Sequence, residues 1–137
     1  EAYEMGSVYL ENQNGKTLQW KRLPMQAQIA PTNDLLLQDF NGDGNTDILL
    51  VGNQYPVEVE TGRYDASIGL YLTGDGKGSF EVVEAEESGF LIEGESRSMA
   101  VLQRESGQKS LIVIAGNDAK VRCFEVKSGN KSLSTEF

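Results

Sequence analysis

Asp39-Phe40-Asn41-Gly42-Asp43-Gly44-Asn45-Thr46-Asp47 sits between two short apolar runs, Leu35-Leu36-Leu37 before it and Ile48-Leu49-Leu50-Val51 after it. Runs of this length flanked by turn residues read as buried strands, so the segment reads as a β-hairpin closed by an acidic loop. Inside the loop the oxygen-bearing side chains alternate. Asp39, Asn41 and Asp43 stand at positions one, three and five, Asn45 at seven offers its backbone carbonyl, and Asp47 closes at nine. Calcium takes six to eight oxygens at roughly 2.3–2.6 Å, and alternate spacing aims several of them at one centre. Gly44, at the sixth position, allows the sharp turn such a loop needs, and Gly42 loosens it further.

An EF-hand would need a bidentate Glu at the twelfth position and flanking helices, but the twelfth residue is Leu50. A plain surface turn uses the same Asx and Gly residues, yet has no reason to space them alternately. Magnesium fits less well, because it demands stricter geometry and fewer protein ligands. Calcium is therefore the expected ion, with Asp39, Asn41, Asp43, Asn45 and Asp47 as its ligands.

Outward from the loop, β-branched and aromatic runs recur between Gly, Asn and Asp clusters, and no segment keeps a helical apolar period. The chain reads as all-β, with strands predicted at 8–10, 18–23, 35–39, 47–52, 68–73, 80–84, 98–103, 110–115 and 121–126. Asn14-Gly15-Lys16 and Gly74-Asp75-Gly76-Lys77-Gly78 are hairpin turns by composition. Asp47-Ile48-Leu49-Leu50-Val51-Gly52-Asn53 aligns with Leu111-Ile112-Val113-Ile114-Ala115-Gly116-Asn117, and Val8-Tyr9-Leu10 with Leu70-Tyr71-Leu72, a period of 62 to 64 residues. That register implies antiparallel, four-stranded, blade-like repeats: the end of one blade plus a linker over 1–34, a complete calcium-binding blade over 35–97, and a degenerate blade with a C-terminal tail over 98–137. About two blades cannot close a ring of four to eight, so a partial β-propeller is expected. Such a piece should expose apolar faces, pack its partial sheets together, or associate with another copy.

The stretch DFNGDGNTDILLVGN (39–53) resembles the FG-GAP or VCBS repeat signature, the calcium-loop blade motif of integrin α-subunit propellers and of many bacterial surface and secreted proteins. LYLTGDGKGSF (70–80) is similar to the hairpin that follows in the same repeat, so the resemblance covers roughly 35–83. Gly62-Arg63-Tyr64-Asp65-Ala66-Ser67 also resembles the C-terminal part of bacterial VCBS-repeat proteins of the surface or periplasm. The next repeat departs from the signature, with Gln103-Arg104-Glu105-Ser106-Gly107-Gln108-Lys109-Ser110 in place of the loop, and no second ion is expected there.

Composition narrows the function further. With 21 acidic against 12 basic residues in 137, and a formal net charge of −9, the chain would repel nucleic acid and anionic membranes. No apolar run reaches the ~20 residues of a membrane helix. There is no His, which excludes Ser-His-Asp and Cys-His catalysis and His-containing zinc sites, and the lone Cys123 excludes an internal disulfide. The opening Glu-Ala-Tyr-Glu lacks both an initiator Met and signal-peptide features, so a piece of a longer protein is expected.

Glu58, Glu60, Glu84, Glu86 and Glu87 are numerous enough for glycoside hydrolysis, but no spacing singles out a pair, and the chain is read as not an enzyme. The first repeat carries an insertion, 54–64, that the second lacks. Tyr55, Glu58, Arg63 and Tyr64 on it are candidate contacts to a protein or glycan, although they would equally serve an ordered loop covering the sheet edge. The expected function is a calcium-binding structural and binding module of an extracellular, cell-surface or periplasmic protein, in adhesion or in protein or glycan recognition. The alternative is a noncatalytic scaffold portion of a propeller enzyme acting on polysaccharide.

Overall fold

The computed structural model describes residues 4–55, 64–105, 109–126 and 133–136. Among the described residues, ten strands form three antiparallel sheets, each built from strands consecutive in the chain. The first sheet is the hairpin of β1 (Val8–Gln13) and β2 (Thr17–Arg22). Its turn places Asn14 and Gly15 at φ 56° and 69°, the left-handed pair that matches the twist of a tight hairpin. The second sheet runs in the order β3 (Thr32–Gln38), β4 (Asp47–Gly52), β5 (Leu70–Gly74), β6 (Phe80–Val83). The third repeats that meander with β7 (Ser96–Leu102), β8 (Leu111–Gly116), β9 (Arg122–Val126) and β10 (Leu133–Glu136).

The all-β reading holds, and the predicted strand 47–52 coincides with β4. Three short elements escaped the sequence reading: a 3-10 turn at Met25–Gln28, a one-turn helix α1 at Ala85–Ser88, and β10. Strands β3 and β7 also begin earlier than expected, at Thr32 and Ser96, because each opens with a register shift. The shift falls between Thr32 and Asp34 in one sheet and between Ser96 and Ser98 in the other, 64 residues apart, as are Asp47 and Leu111 at the start of the next strands. The internal repeat is thus a repeat of pairing register and of bulge, as well as of residue type. Among the described residues the sheets do not close into a ring.

Side-chain alternation stacks the sheets face to face. From the second sheet Leu49, Val51 and Tyr71 meet Met99, Ile112, Ile114 and Phe124 of the third in one continuous core. On the opposite face Ile48, Leu50 and Leu72 pack with Ala27, Leu23, Phe80 and Val82, and Tyr9 of the first hairpin stands edge-on to Phe80 at 5.6 Å. Strand β4 is therefore covered on both faces, and all six of its residues are buried. Complete burial of each Leu, Ile or Val contributes about 1.5–3 kcal/mol, so this strand concentrates the apolar stabilisation of the molecule. Strand β8 differs. Ile112 and Ile114 are buried, whereas Leu111 and Val113 are only half-buried, because no sheet covers their face among the described residues. The sequence pattern of β8, apolar on both faces, is satisfied on one.

Polar contacts fix how the stack is aligned. Asp34 Oδ2 accepts the backbone N–H of Met99 (2.6 Å) and the hydroxyl of Ser98 (3.2 Å), while Asn33 Nδ2 donates to the carbonyls of Asn53 (2.9 Å) and Ser96 (2.7 Å). The residues displaced by the β3 register shift are thus the ones that join β3 to β7.

Gly52 and Gly116 occupy equivalent places at the ends of β4 and β8, but a Cβ on Gly52 would lie 1.8 Å from the Pro31 carbonyl oxygen and one on Gly116 3.0 Å from that of Glu95. Gly52→Ala is expected to lower stability by about 2–3 kcal/mol, the cost of forced overpacking, and Gly116→Ala by clearly less. Urea denaturation of the two variants side by side checks the order.

Candidate metal centre

The loop joining β3 to β4 is residues 39–46, and across its base Gln38 pairs with Asp47. Asp39 organises it from within. Its Oδ1 accepts the N–H groups of Gly42 (2.7 Å) and Asp43 (3.2 Å), and its Oδ2 accepts that of Gly44 (2.9 Å). Gly42 and Gly44 adopt φ 81° and 87°, which lets these amides turn inward. Asn41 follows the same logic, with Oδ1 accepting Asp43 N–H at 2.8 Å and Nδ2 donating to Asp43 Oδ2 at 3.0 Å. Asp43 Oδ1 in turn accepts Asn45 N–H at 2.7 Å. The alternate spacing seen in the sequence therefore lets Asn41 and Asp43 each capture the amide two residues on, as in an Asx turn, while Asp39 reaches the amides three to five residues on.

Asp47 behaves differently from the other four. It has no solvent exposure, and its carboxylate accepts three donors from two segments: from the loop, Phe40 N–H (3.1 Å) on Oδ2, and from β5, the Tyr71 hydroxyl (3.0 Å) on Oδ2 and Gly74 N–H (3.0 Å) on Oδ1. Tyr71 is itself buried, edge-on to Phe40 at 6.1 Å, within the core between the second and third sheets. Burial pushes its phenol well above the usual value, and the hydrogen bond to Asp47 and the negative charges of Asp47, Asp43 and Asp39 push it the same way. Tyr71 thus remains a proton donor, and three of the predicted ligands project negative potential onto one hydroxyl.

The donor set suits calcium chemically, being all oxygen with three carboxylates on one short loop. A carboxylate has about four acceptor sites, and the bonds named above use three on Asp39 and three on Asp47. Among the described residues, no three or more His, Cys, Asp or Glu side chains converge as a ready-made metal cluster. Asp39, Asn41 and Asp43 instead engage loop amides, contacts that an ion would compete for. The role of Asp47 as a buried anchor was not evident from the sequence; the signal available was the Tyr at position 71, on the strand paired with β4.

The equivalent part of the third sheet is built on other chemistry. Register places Gln103 where Asp39 stands, Leu111 where Asp47 stands, and Cys123 where Tyr71 stands. Lys109 Nζ lies 3.2 Å from Glu125 Oε1 and Arg104 Nη2 3.0 Å from Glu125 Oε2, so protein cations meet the carboxylate at this end of the sheet. The 74–78 segment is the hairpin turn between β5 and β6: Asp75 N–H donates to the Ser79 carbonyl, and its carboxylate accepts the N–H groups of Ser79 and Lys77, which hold its pKa below the usual range.

The 54–64 insertion is closed at its base, where Gln54 and Tyr64 exchange backbone hydrogen bonds of 2.8 and 3.0 Å. Tyr64 is exposed and Tyr55 half-buried, while Glu58 and Arg63 lie outside the described residues, as does Glu60. Of the remaining carboxylates weighed for catalysis, Glu84, Glu86 and Glu87 are exposed around α1.

Comparison with family models, with curated proteins and with solved structures returned no match. The reading of this chain therefore rests on its own residues.

Removing the Tyr71 hydroxyl takes one donor from a buried carboxylate. Tyr71→Phe should cost about 1.5–3 kcal/mol at neutral pH, the range for a hydrogen bond to a charged group. Because the folded phenol holds its proton more tightly than the unfolded one, its contribution is complete below about pH 10 and is lost as pH rises further. Thermal melts from pH 8 to 11 should therefore show a smaller alkaline loss in Tyr71→Phe than in the wild type.

Proposed function

We propose that this chain is a calcium-braced, noncatalytic binding module of the FG-GAP/VCBS type, made of stacked blade-like sheets. In this reading it belongs to a surface, secreted or periplasmic protein engaged in adhesion or in protein or glycan recognition. The observation that carries the reading is the loop itself: Asp39, Asn41 and Asp43 stand at alternate positions on one β-hairpin, and its closing Asp47 is anchored in the core. Two further features support it. The second and third sheets share a four-stranded meander with the same bulge 64 residues apart, and the insertion is rooted in the sheet while presenting an exposed Tyr64.

In this reading Asp39, Asn41, Asp43, the Asn45 carbonyl and Asp47 supply the oxygens. The ion supplies positive charge that offsets three carboxylates confined to one loop. Both oxygens of Asp47 are already held by protein donors, so an ion bound to it also tightens the link from the loop through Tyr71 to the inter-sheet core. Its effect falls on stability and rigidity. Tyr55 and Tyr64, on the insertion at the opposite end of β4 from the loop, provide the recognition surface.

The expected affinity is about 10⁻⁴–10⁻³ M, the range of extracellular modules, because the loop lacks a bidentate closing Glu. Calcium at ten times Kd adds about 1.4 kcal/mol of stability by mass action, a rise of about 4–6 °C in Tm. Asp43→Ala should abolish that rise, and magnesium at the same concentration should produce a smaller one. A Tm indifferent to calcium in the wild type, or an unchanged rise in Asp43→Ala, removes the assignment.

A further inference from the structure

The register of the three sheets identifies which face of each sheet looks toward the next. Leu36, Leu49, Val51 and Tyr71 of the second sheet face the third and are covered by it. Their equivalents by pairing register are Ala100, Val113, Ala115 and Cys123, and these form the outer face of the third sheet, where Ala100 and Ala115 are exposed and Val113 and Cys123 half-buried. Leu102, on the same face, is 53% exposed.

The opposite end of the stack mirrors this. Leu72, Phe80 and Val82 of the second sheet pack in the second core cluster with Leu23 and Ala27, which follow the first hairpin in the chain, and Phe80 meets Tyr9 of the hairpin itself. The hairpin pairs Leu10 with Trp20 and Asn12 with Leu18, as the second sheet pairs Leu72 with Val82 and Gly74 with Phe80. Leu10, Leu18 and Trp20 are therefore the equivalents of Leu72, Phe80 and Val82, and they are 57%, 66% and 54% exposed. One molecule thus carries both halves of the contact that it makes internally, one on each outer face.

We infer that the exposed outer face of the third sheet receives the exposed face of the first hairpin of a second copy, head to tail, continuing the internal stacking between chains. The occupant follows from complementarity already present in the fold: inside the molecule, the face type of Leu49 and Val51 is covered by the face type of Leu72. Because the two surfaces differ, the contact is heterologous, and successive copies form a ring or an open chain rather than a two-fold dimer. Burying both apolar faces removes the penalty of leaving them wet. The inference rests on the stacked-sheet part of the reading above and not on calcium.

The test uses two exposed positions, one on each face, that leave Trp20 intact. In sedimentation equilibrium with calcium present, the wild-type chain should show an average mass that rises with concentration, and emission from Trp20, the one Trp in the sequence, should shift to the blue as it does so. Leu18→Glu and Ala100→Glu should each be monomeric. An equimolar mixture should form a one-to-one dimer, since each variant retains the face the other lacks. A monomeric wild type with concentration-independent emission, self-association of either single variant, or a mixture that stays monomeric overturns the inference. These outcomes are read as mass and emission, so they are separate from the calcium-dependent shift in Tm.

Discussion

The carboxylate of Asp47 sits fully out of solvent and is held by three donors from two segments: the amide of Phe40 in the loop, and from β5 both the amide of Gly74 at its end and the hydroxyl of Tyr71, which reaches in from the inter-sheet core. A buried charge without partners is costly, and removing one partner of a satisfied group costs more than the bond alone. The consequence is positional. With these bonds made, the loop, the β4–β5 pair and the face that meets the third sheet share one point of attachment. Among the described residues no buried side-chain polar atom lacks a partner, so this site follows the rule of the whole interior.

From that anchor the layering follows. Asp47 begins β4, and the strand alternates Ile48 and Leu50, toward the cluster with Leu23 and Ala27, with Leu49 and Val51, toward the third sheet. A strand apolar on both faces must be covered twice, which makes the middle sheet the load shared by its neighbours. The third sheet repeats the pattern without the second cover and without the acidic anchor, since Leu111 and Cys123 replace Asp47 and Tyr71. The same backbone repeat thus supports an acidic, Asx-rich loop in one sheet and an Arg104–Glu125–Lys109 ion-pair cluster in the next. Partly exposed pairs of this kind are worth at most about 1 kcal/mol each, so their place in the fold is a matter of charge matching more than of stability.

Much of the fold was legible because its signals are local. Strand β4 lies where Ile48-Leu49-Leu50-Val51 placed it, bounded by acidic and Gly-Asn turns. The hairpin turn at Asn14-Gly15 follows from the left-handed dihedrals those residues accept. The repeat between 47–53 and 111–117 proved to be a repeat of register, because period-two alternation ties each residue to a face and a one-residue slip would expose the whole core set. Strand β10 was missed because Leu-Ser-Thr-Glu offers a single apolar residue, and Leu133 becomes buried through its pairing with Val126. The early starts of β3 and β7 were missed because Thr32 and Asn33, like Ser96 and Arg97, read as polar turn residues until pairing draws them in.

By itself the sequence determined an all-β chain, the hairpin carrying Asp39 to Asp47, the alternation of oxygen donors within it, and a repeat of about 64 residues, since dihedral preference, side-chain alternation and ligand spacing are properties of neighbours in the chain. Only the tertiary structure decided that Asp47 is buried and bonded to Tyr71 across 24 residues, that Asp34 grips Met99 across 65, and that β8 is covered on one face while β4 is covered on two. Those outcomes depend on which sheet stacks on which. Stacking is settled by the summed burial of faces assembled from distant strands, and no local pattern encodes that sum.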